Sequence, residues 1–216
     1  AGAAVTAAAT AAGALVKQST EAYANYEQLV GGVDTLFKKS SKKVQAYAAN
    51  AYKTAGLSAN QYMETVTSFS ASLLQSVGGD TDKAAEKANM AITDMSDNAN
   101  KMGSNMVDVE NAYKGFAKQN YTMLDNLKLG YGGTKEEMAR LLADAEKISG
   151  VKYDLSSYAD VVDAIHVIQT EMDITGTTQR EAATTIEGSV NSAKAAWQNL
   201  LTGMADDNQD FQGLVC

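Results

Sequence analysis

Proline is the most informative absence in this sequence. None of the 216 residues is a proline, whereas an average composition would supply roughly ten. Because proline removes a backbone N–H donor and clashes with the preceding helical turn, its absence indicates a chain that is helical almost throughout. Alanine is abundant while valine, isoleucine and phenylalanine are modest, which favours helices over strands. The sequence therefore predicts an all-α fold.

Cysteine and histidine are nearly absent, with one of each, Cys216 and His166. A single cysteine excludes an internal disulfide framework and suits folding in a reducing cytoplasm. Cys216 has no partner base in its surroundings, and a histidine-based metal site or a Ser-His-Asp triad would need residues from elsewhere. The sequence therefore predicts no enzyme: no catalytic, cofactor-binding or metal-ligating residues and no cofactor. His166 is expected to be packed or half-exposed.

Basic charge is also scarce. Lysine and arginine number 18 against 26 acidic residues, which gives a formal net charge of −8. No basic stripe is present, so we predict no specific binding of nucleic acid. The one basic cluster, at Lys38, Lys39, Lys42 and Lys43, is interpreted as a solvated face.

Residues 1–16 carry no charge and consist almost entirely of small residues. No basic segment precedes them, so they are not interpreted as a secretory signal. Sixteen residues are short for a membrane span. A small-residue face for close helix packing and a membrane-entering segment both stay open. Because the chain begins with Ala1, we interpret it as an excerpt of a longer protein.

Apolar residues recur at alternating spacings of three and four from Tyr23 onward, which is the pattern of a coiled coil. The positions are Tyr23, Tyr26, Val30, Val33, Phe37, Ser40, Val44, Tyr47 and Ala51. We call this set the heptad seam and predict that its apolar members mediate self-association, with Ser40 as the polar exception. As one helix it would be ~43 Å long. Gly31-Gly32 interrupts it, so one bent helix and two stacked helices are both open.

After Gly56 the pattern changes to short helices with capping signals. Ser58, Thr134 and Thr178 are each followed three residues later by glutamine or glutamate, as in a capping box. The sequence thus predicts a helical rod over 1–55, a compact helical bundle over 56–205 and a polar tail over 206–216. The last helix should bury a stripe formed by Ile186, Val190, Ala193, Trp197, Leu201 and Met204.

Two further patterns were weighed as sites. Acidic pairs occur at Asp94/Asp97, Glu136/Glu137, Asp160/Asp163 and Asp206/Asp207, and we interpret them as solvated helix faces. The glycine-rich segment 130–134 precedes a helix but lacks the lysine–serine pair of a phosphate loop, and the first turn that follows is acidic. It is interpreted as a plain turn.

Five stretches together resemble one family. They read YKTAGLSANQY at 52–62, SLLQSVGGD at 72–80, AITDMSDNANKMG at 91–103, GFAKQNYTMLDNLKLGYGGTK at 115–135, and EGSV through WQNLLTG at 187–203. They resemble segments of tape measure proteins from the tails of phages and prophages of Gram-positive bacteria. The resemblance covers nearly the whole chain and is most specific over 91–135.

The resemblance implies a structural role. Several copies of such a chain lie inside the tail tube, tube subunits polymerise around them, and chain length sets tail length because a helix advances ~1.5 Å per residue. The implied partners are tail tube, tail assembly chaperone and tail-tip proteins, with host-membrane contact when the chain is ejected at infection. The implied location is the tail lumen or tip of the virion, and the host cytoplasm during assembly. No catalytic residue is carried over.

A rival interpretation is a secreted helical pore-forming or contact-dependent toxin, in which the uncharged start inserts into a membrane. Leakage of liposomes caused by this segment alone would favour it. The tail interpretation carries its own difficulty, since a compact bundle is wider than a rod of two or three helices. We expect the bundle either to lie at a tail end or to unfold for passage.

Overall fold

The computed structural model describes the backbone of residues 2–184 and 186–203, and the side chains in these ranges except 2–16, 184 and 186–189. Within these residues every regular element is a helix, which confirms the predicted all-α class. The predicted polar tail at 206–216 and the side chains of the uncharged start lie outside the described residues. Among the described helices, none combines the length and apolarity needed to span a membrane.

Nine α-helices and two short 3-10 helices occur in the described residues. The α-helices are α1 Gly2–Phe37, α2 Ser41–Thr54, α3 Ala59–Ser76, α4 Thr81–Met102, α5 Met106–Phe116, α6 Lys135–Ser149, α7 Tyr158–Glu171, α8 Thr177–Thr184 and α9 Ile186–Gly203. The 3-10 helices are Lys38–Ser40 and Leu124–Leu127. A long first helix is thus followed by shorter ones, as the sequence predicts.

The break in the N-terminal helical region falls at Lys38–Ser40 and not at Gly31-Gly32, through which α1 continues. The helix continues although two glycines cost it roughly 2 kcal/mol, and at Gly32 it lies close to α3, where a Cβ would be 3.6 Å from Thr67. Lys38 instead adopts a left-handed φ of 48°. The buried side chains of Phe37 and Ser40 flank it. Of the two alternatives, the structure therefore has two helices joined by a corner.

The second half of the heptad seam packs against the chain's own helices. Val33, Phe37, Val44 and Ala51 are buried in the same apolar core as α3 to α7. Val33, Phe37 and Val44 are therefore covered within one chain, whereas Tyr23, Tyr26, Val30 and Tyr47 are half-exposed. Self-association through the heptad seam stays a prediction. The core continues across Gly56, and the division of the chain at that residue also stays a prediction.

Helix α4 lies at the centre of the bundle and contacts α1, α2, α3, α5, α7 and α8. Its first half presents Ala84, Ala85, Ala88 and Ala91, all fully buried, and these small side chains let neighbouring helices approach closely. Larger side chains fill the space around it, including Phe69 and Tyr158, whose rings meet edge to face at 6.1 Å. The predicted caps at Ser58 and Thr134 are confirmed by hydrogen bonds from Gln61 N and Glu137 N.

Replacing Phe37 by alanine tests the packing of the seam. The ring is 0 % exposed, so Phe37→Ala should lower the free energy of unfolding by about 3–5 kcal/mol in urea denaturation. Val107→Ala, at a side chain 60 % exposed, is the control and should change it by less than about 0.5 kcal/mol. A loss at Phe37 that varied with protein concentration would instead place this residue between chains.

Candidate functional site

The C-terminal half of α4 carries a row of polar side chains that point into the protein. Asp94 is 1 % exposed and Asp97 is 0 % exposed, and Ser96 and Asn98 are also buried. We call these four residues, together with the exposed Asn100, whose amide reaches Thr178, the α4 polar seam. The prediction that Asp94 and Asp97 form a solvated face is wrong, because neighbouring elements enclose this half of α4 on its polar side as well.

Asp94 pairs with the single histidine, on α7. Its carboxylate oxygens lie 3.0 and 2.9 Å from Nδ1 of His166, whose side chain is part-exposed as expected. Burial raises the pKa of the Asp94 carboxyl to about 6, against the lowering effect of the nearby imidazole. The hydrogen bond with Asp94 raises the pKa of His166 above its ordinary 6.5. Beside this pair, Lys87 Nζ lies 2.6 Å from Asp163 of α7, so two ionic contacts join α4 to α7.

Asp97 caps a different helix from its own. Its carboxylate accepts the backbone N–H of Gly176 at 2.6 Å and of Thr178 at 2.8 Å, at the start of α8. The hydroxyl of Thr178 contacts Ser96 Oγ at 3.0 Å and accepts from Asn100 Nδ2 at 2.8 Å. The predicted cap at Thr178 is wrong, because α8 begins at Thr177 and Thr178 therefore lies inside its first turn. The side chain that accepts the backbone N–H of Thr178 comes from Asp97 of α4.

Asn98 and Ser96 bind backbone carbonyls of two other segments. Asn98 Nδ2 donates to the carbonyl of Leu127 at 2.9 Å, and Ser96 Oγ donates to the carbonyl of Ala55 at 2.8 Å. With the contacts of Asp94 and Asp97, the α4 polar seam joins four segments that are distant in sequence, at Ala55, Leu127, His166 and 176–178.

The α4 polar seam forms a hydrogen-bond network between segments of this chain. An Asp–His pair is part of a hydrolytic triad, but among the described residues no hydrogen bond joins Nε2 of His166 to a hydroxyl. The described part of the chain also contains no cluster of three or more histidine, cysteine, aspartate and glutamate side chains that could hold a metal ion. The oxygens of Asp97 accept backbone N–H groups, which fixes them in place.

A cavity of about 750 Å³ lies beside the α4 polar seam, between α4, α8 and α9. Its polar lining includes Gln61, Asn100, Thr178, Glu181, Lys194 and Gln198. Small-molecule sites are usually enclosed by apolar and aromatic side chains with a few polar ones. Amides and charges of both signs make this cavity a poor match for that pattern.

The glycine-rich segment 130–134 folds as a turn closed by α6. Glu137 accepts the N–H of Gly132 at 3.0 Å, and Arg140 donates to the carbonyl of Gly130 at 2.9 Å. The hydrogen bond from Arg140, followed by that from Gly132, lowers the pKa of Glu137 to about 2. A carboxylate thus holds an N–H of this loop, which agrees with the interpretation as a plain turn and not a phosphate loop.

Helix α9 buries a different face from the one expected. Val190 and Trp197 are 44 % and 50 % exposed, whereas Ala195 and Leu201 are buried. The predicted stripe is correct only for Leu201 among the residues whose side chains are described. The helices that α9 contacts are α1, α2, α3 and α8, and they cover the face that carries Ala195 and Leu201 and leave Val190 and Trp197 exposed.

The sequence contains a signal for the burial of the polar residues that the prediction missed. Asp94 and Asn98 follow Ala91 by three and seven residues, so they continue the buried alanine stripe along the same helix face. Asp97 has no comparable signal, because its partners come from a segment about 80 residues later in the chain.

Comparison with known proteins finds no matching family model, no matching curated protein and no matching solved structure. The contacts above and the stretches named in the sequence analysis are therefore the grounds for any functional interpretation.

The Asp94–His166 pair predicts a pH dependence. The pKa of Asp94 is raised when folded, so its contribution is present near pH 4 and lost as pH rises through 6. The pKa of His166 is also raised, so its contribution is present below pH 6.5 and lost at higher pH. Both effects have the same sign. Relative to wild type, the free energy of unfolding of Asp94→Asn should therefore increase by about 1–3 kcal/mol as pH rises from 4.5 to 8, measured by urea denaturation.

Asp125→Asn, at an exposed aspartate, serves as the control for this pH series. A difference between Asp94→Asn and wild type that stays constant from pH 4.5 to 8 would contradict the assignment.

Gly133 predicts a second, local effect. A Cβ at this position would lie 2.2 Å from the carbonyl oxygen of Thr122, so Gly133→Ala should destabilise the protein by about 1–3 kcal/mol in thermal or urea unfolding. At the neighbouring Gly132 a Cβ would meet Glu137 Cγ at an ordinary 3.5 Å. Gly132→Ala is therefore the matched control, and equal losses at both glycines would refute the steric explanation.

Proposed function

We propose that this chain is part of a phage tail tape measure protein, a non-enzymatic assembly protein that acts as a length ruler and scaffold for the tail tube and is ejected at infection. The observation that carries the proposal is the resemblance of residues 91–135 to that family. This stretch contains the α4 polar seam and the glycine-rich turn at 130–134, both of which make specific contacts described above.

The helical architecture suits a ruler. Helix α1 has 36 residues, which corresponds to ~54 Å at ~1.5 Å per residue. The whole chain drawn out as one helix would span ~320 Å, several times the length of a folded bundle of this size. The contribution of this segment to tail length therefore depends on whether the bundle is folded inside the tail.

A structural role also accounts for the chemistry of α4. Asp97 and Asn98 bind backbone groups of other segments, and Asp94 binds His166. These contacts stabilise one arrangement of helices, which is sufficient for an assembly protein that performs no catalysis.

The partners that belong to this proposal are other copies of the chain, tail tube subunits, the tail assembly chaperone and tail-tip proteins. Copies would meet through the half-exposed part of the heptad seam at Tyr23, Tyr26, Val30 and Tyr47. The chain would lie in the tail lumen or at the tail tip of the virion, in the host cytoplasm during assembly, and would contact the host membrane at ejection.

Lengthening α1 in the source phage tests the ruler. Four heptads of helix-forming sequence, 28 residues, inserted after Val16 should lengthen the tail by ~42 Å, measured by negative-stain electron microscopy of purified particles. The site precedes Ser19, which is the first buried side chain described in α1, so the insertion leaves the register of the described buried side chains unchanged.

Twenty-eight glycine and serine residues inserted after Val16 are the matched control and should add no fixed helical length. Tails of unchanged length with the heptad insertion, or tails lacking this protein by mass spectrometry, would refute the proposal.

A further inference from the structure

Helices α8 and α9 are attached differently from the other helices. No described residue of either belongs to the apolar core formed by α1 to α7 and the loops between them. Among the α9 side chains that the structure describes, the buried apolar residues are Ala195 and Leu201. An alanine buries little area compared with the large side chains of the core. Among the described side chains, polar contacts are therefore an important part of the attachment of α8 and α9.

Cavities lie on two sides of α9. The cavity of about 750 Å³ separates it from α4, and a second one of about 250 Å³ lies between α9, α1 and the start of α3. Loosely filled space forfeits dispersion contacts on both sides of the helix. Between the cavities, Asn199 accepts the N–H of Ala59 at 2.7 Å and Ser192 donates to the carbonyl of Tyr52 at 2.8 Å.

The strongest polar attachment is at the start of α8. Asp97 is fully buried, and no lysine or arginine of the described residues forms an ion pair with it. Its charge is compensated by the N–H groups of Gly176 and Thr178 and by the positive end of α8. Ser96 and Asn100 add their bonds to the Thr178 hydroxyl. We call these three α4 residues, with segment 176–178, the latch.

A carboxylate in this position has a satisfactory alternative. If α8 leaves, Asp97 becomes accessible to water and regains its hydration, so opening does not leave a buried unpaired charge. An apolar attachment has no such compensation, because separation exposes its surface to water. The latch thus fixes the docked position of α8 and also lowers the free-energy cost of separating α8 from α4.

We propose that α8 and α9 form a separable arm that undocks from the bundle as one unit while α3 to α7 stay folded, with Asp97 as the residue that holds it. The inference concerns contacts within this chain and does not rest on the tail function. Undocking would leave a narrower bundle joined at residue 176 to a helical arm.

Hydrogen exchange followed by mass spectrometry tests the proposal on the whole chain. Asp97→Asn keeps the shape of the side chain, but its single amide oxygen cannot accept as two charged oxygens do. Amides of residues 179–203 should exchange at least tenfold faster than in wild type, while those of α4, α5 and α7 change less than twofold.

Asp94→Asn is the matched control. Asp94 lies on the same helix and is buried about as deeply as Asp97, but its carboxylate faces α7. In Asp94→Asn, the exchange of amides 179–203 should not be accelerated more than twofold beyond the acceleration measured in the rest of the bundle. Uniform acceleration across the chain in Asp97→Asn, no acceleration of 179–203, or the same selective effect in Asp94→Asn would overturn the proposal.

The wild-type chain provides a second test, which does not depend on whether a variant folds. At urea concentrations below global unfolding, amides of α9 should exchange at least tenfold faster than those of α4 and with a weaker dependence on urea, because a partial opening exposes less surface. Equal rates and equal urea dependence in the two helices would overturn the proposal.

Discussion

The fold depends on the enclosure of the C-terminal half of α4. Helices pack against it on several sides, so its carboxylates and amides are removed from water along with its alanines. A buried polar group without a partner costs about 1–3 kcal/mol, and a charge costs more. Neighbours present complementary groups to most of these atoms: His166 to Asp94, the backbone at 176–178 to Asp97, and the carbonyl of Leu127 to the amide nitrogen of Asn98. Among the described residues, Oδ1 of Asn98 is buried without a hydrogen-bond partner. Apolar packing is non-directional, whereas a hydrogen bond weakens when its geometry is distorted, so these contacts favour one position for each segment.

Much of this architecture is predictable from local sequence, and the failures have a common cause. The caps at Ser58 and Thr134 are predicted correctly because their donors and acceptors lie within one turn. The predicted cap at Thr178 is wrong because the backbone N–H of this residue bonds to a side chain 81 residues away. The burial of Asp94 likewise depends on how many helices surround α4, which periodicity within one helix does not report. The corner at Lys38 is a tertiary effect too, since a lysine has no intrinsic preference for positive φ.

The number of residues relates to physical length differently in α1, the segment that suits the proposed ruler, and in the folded bundle. In α1 each residue adds a fixed rise along one axis, so length is additive and depends little on side-chain identity. In the bundle the chain reverses direction repeatedly, and length along any axis depends on packing. A protein with both kinds of segment can vary its measured length in one without refolding the other.

The chain's single tryptophan, Trp197, lies half-exposed on α9. Indole emission depends on the polarity around the ring, so this side chain is a built-in optical probe of one face of one helix. A contact that removes water from this face would shift the emission to shorter wavelength. The approach of another molecule to α9 can therefore be followed in real time, without a chemical label.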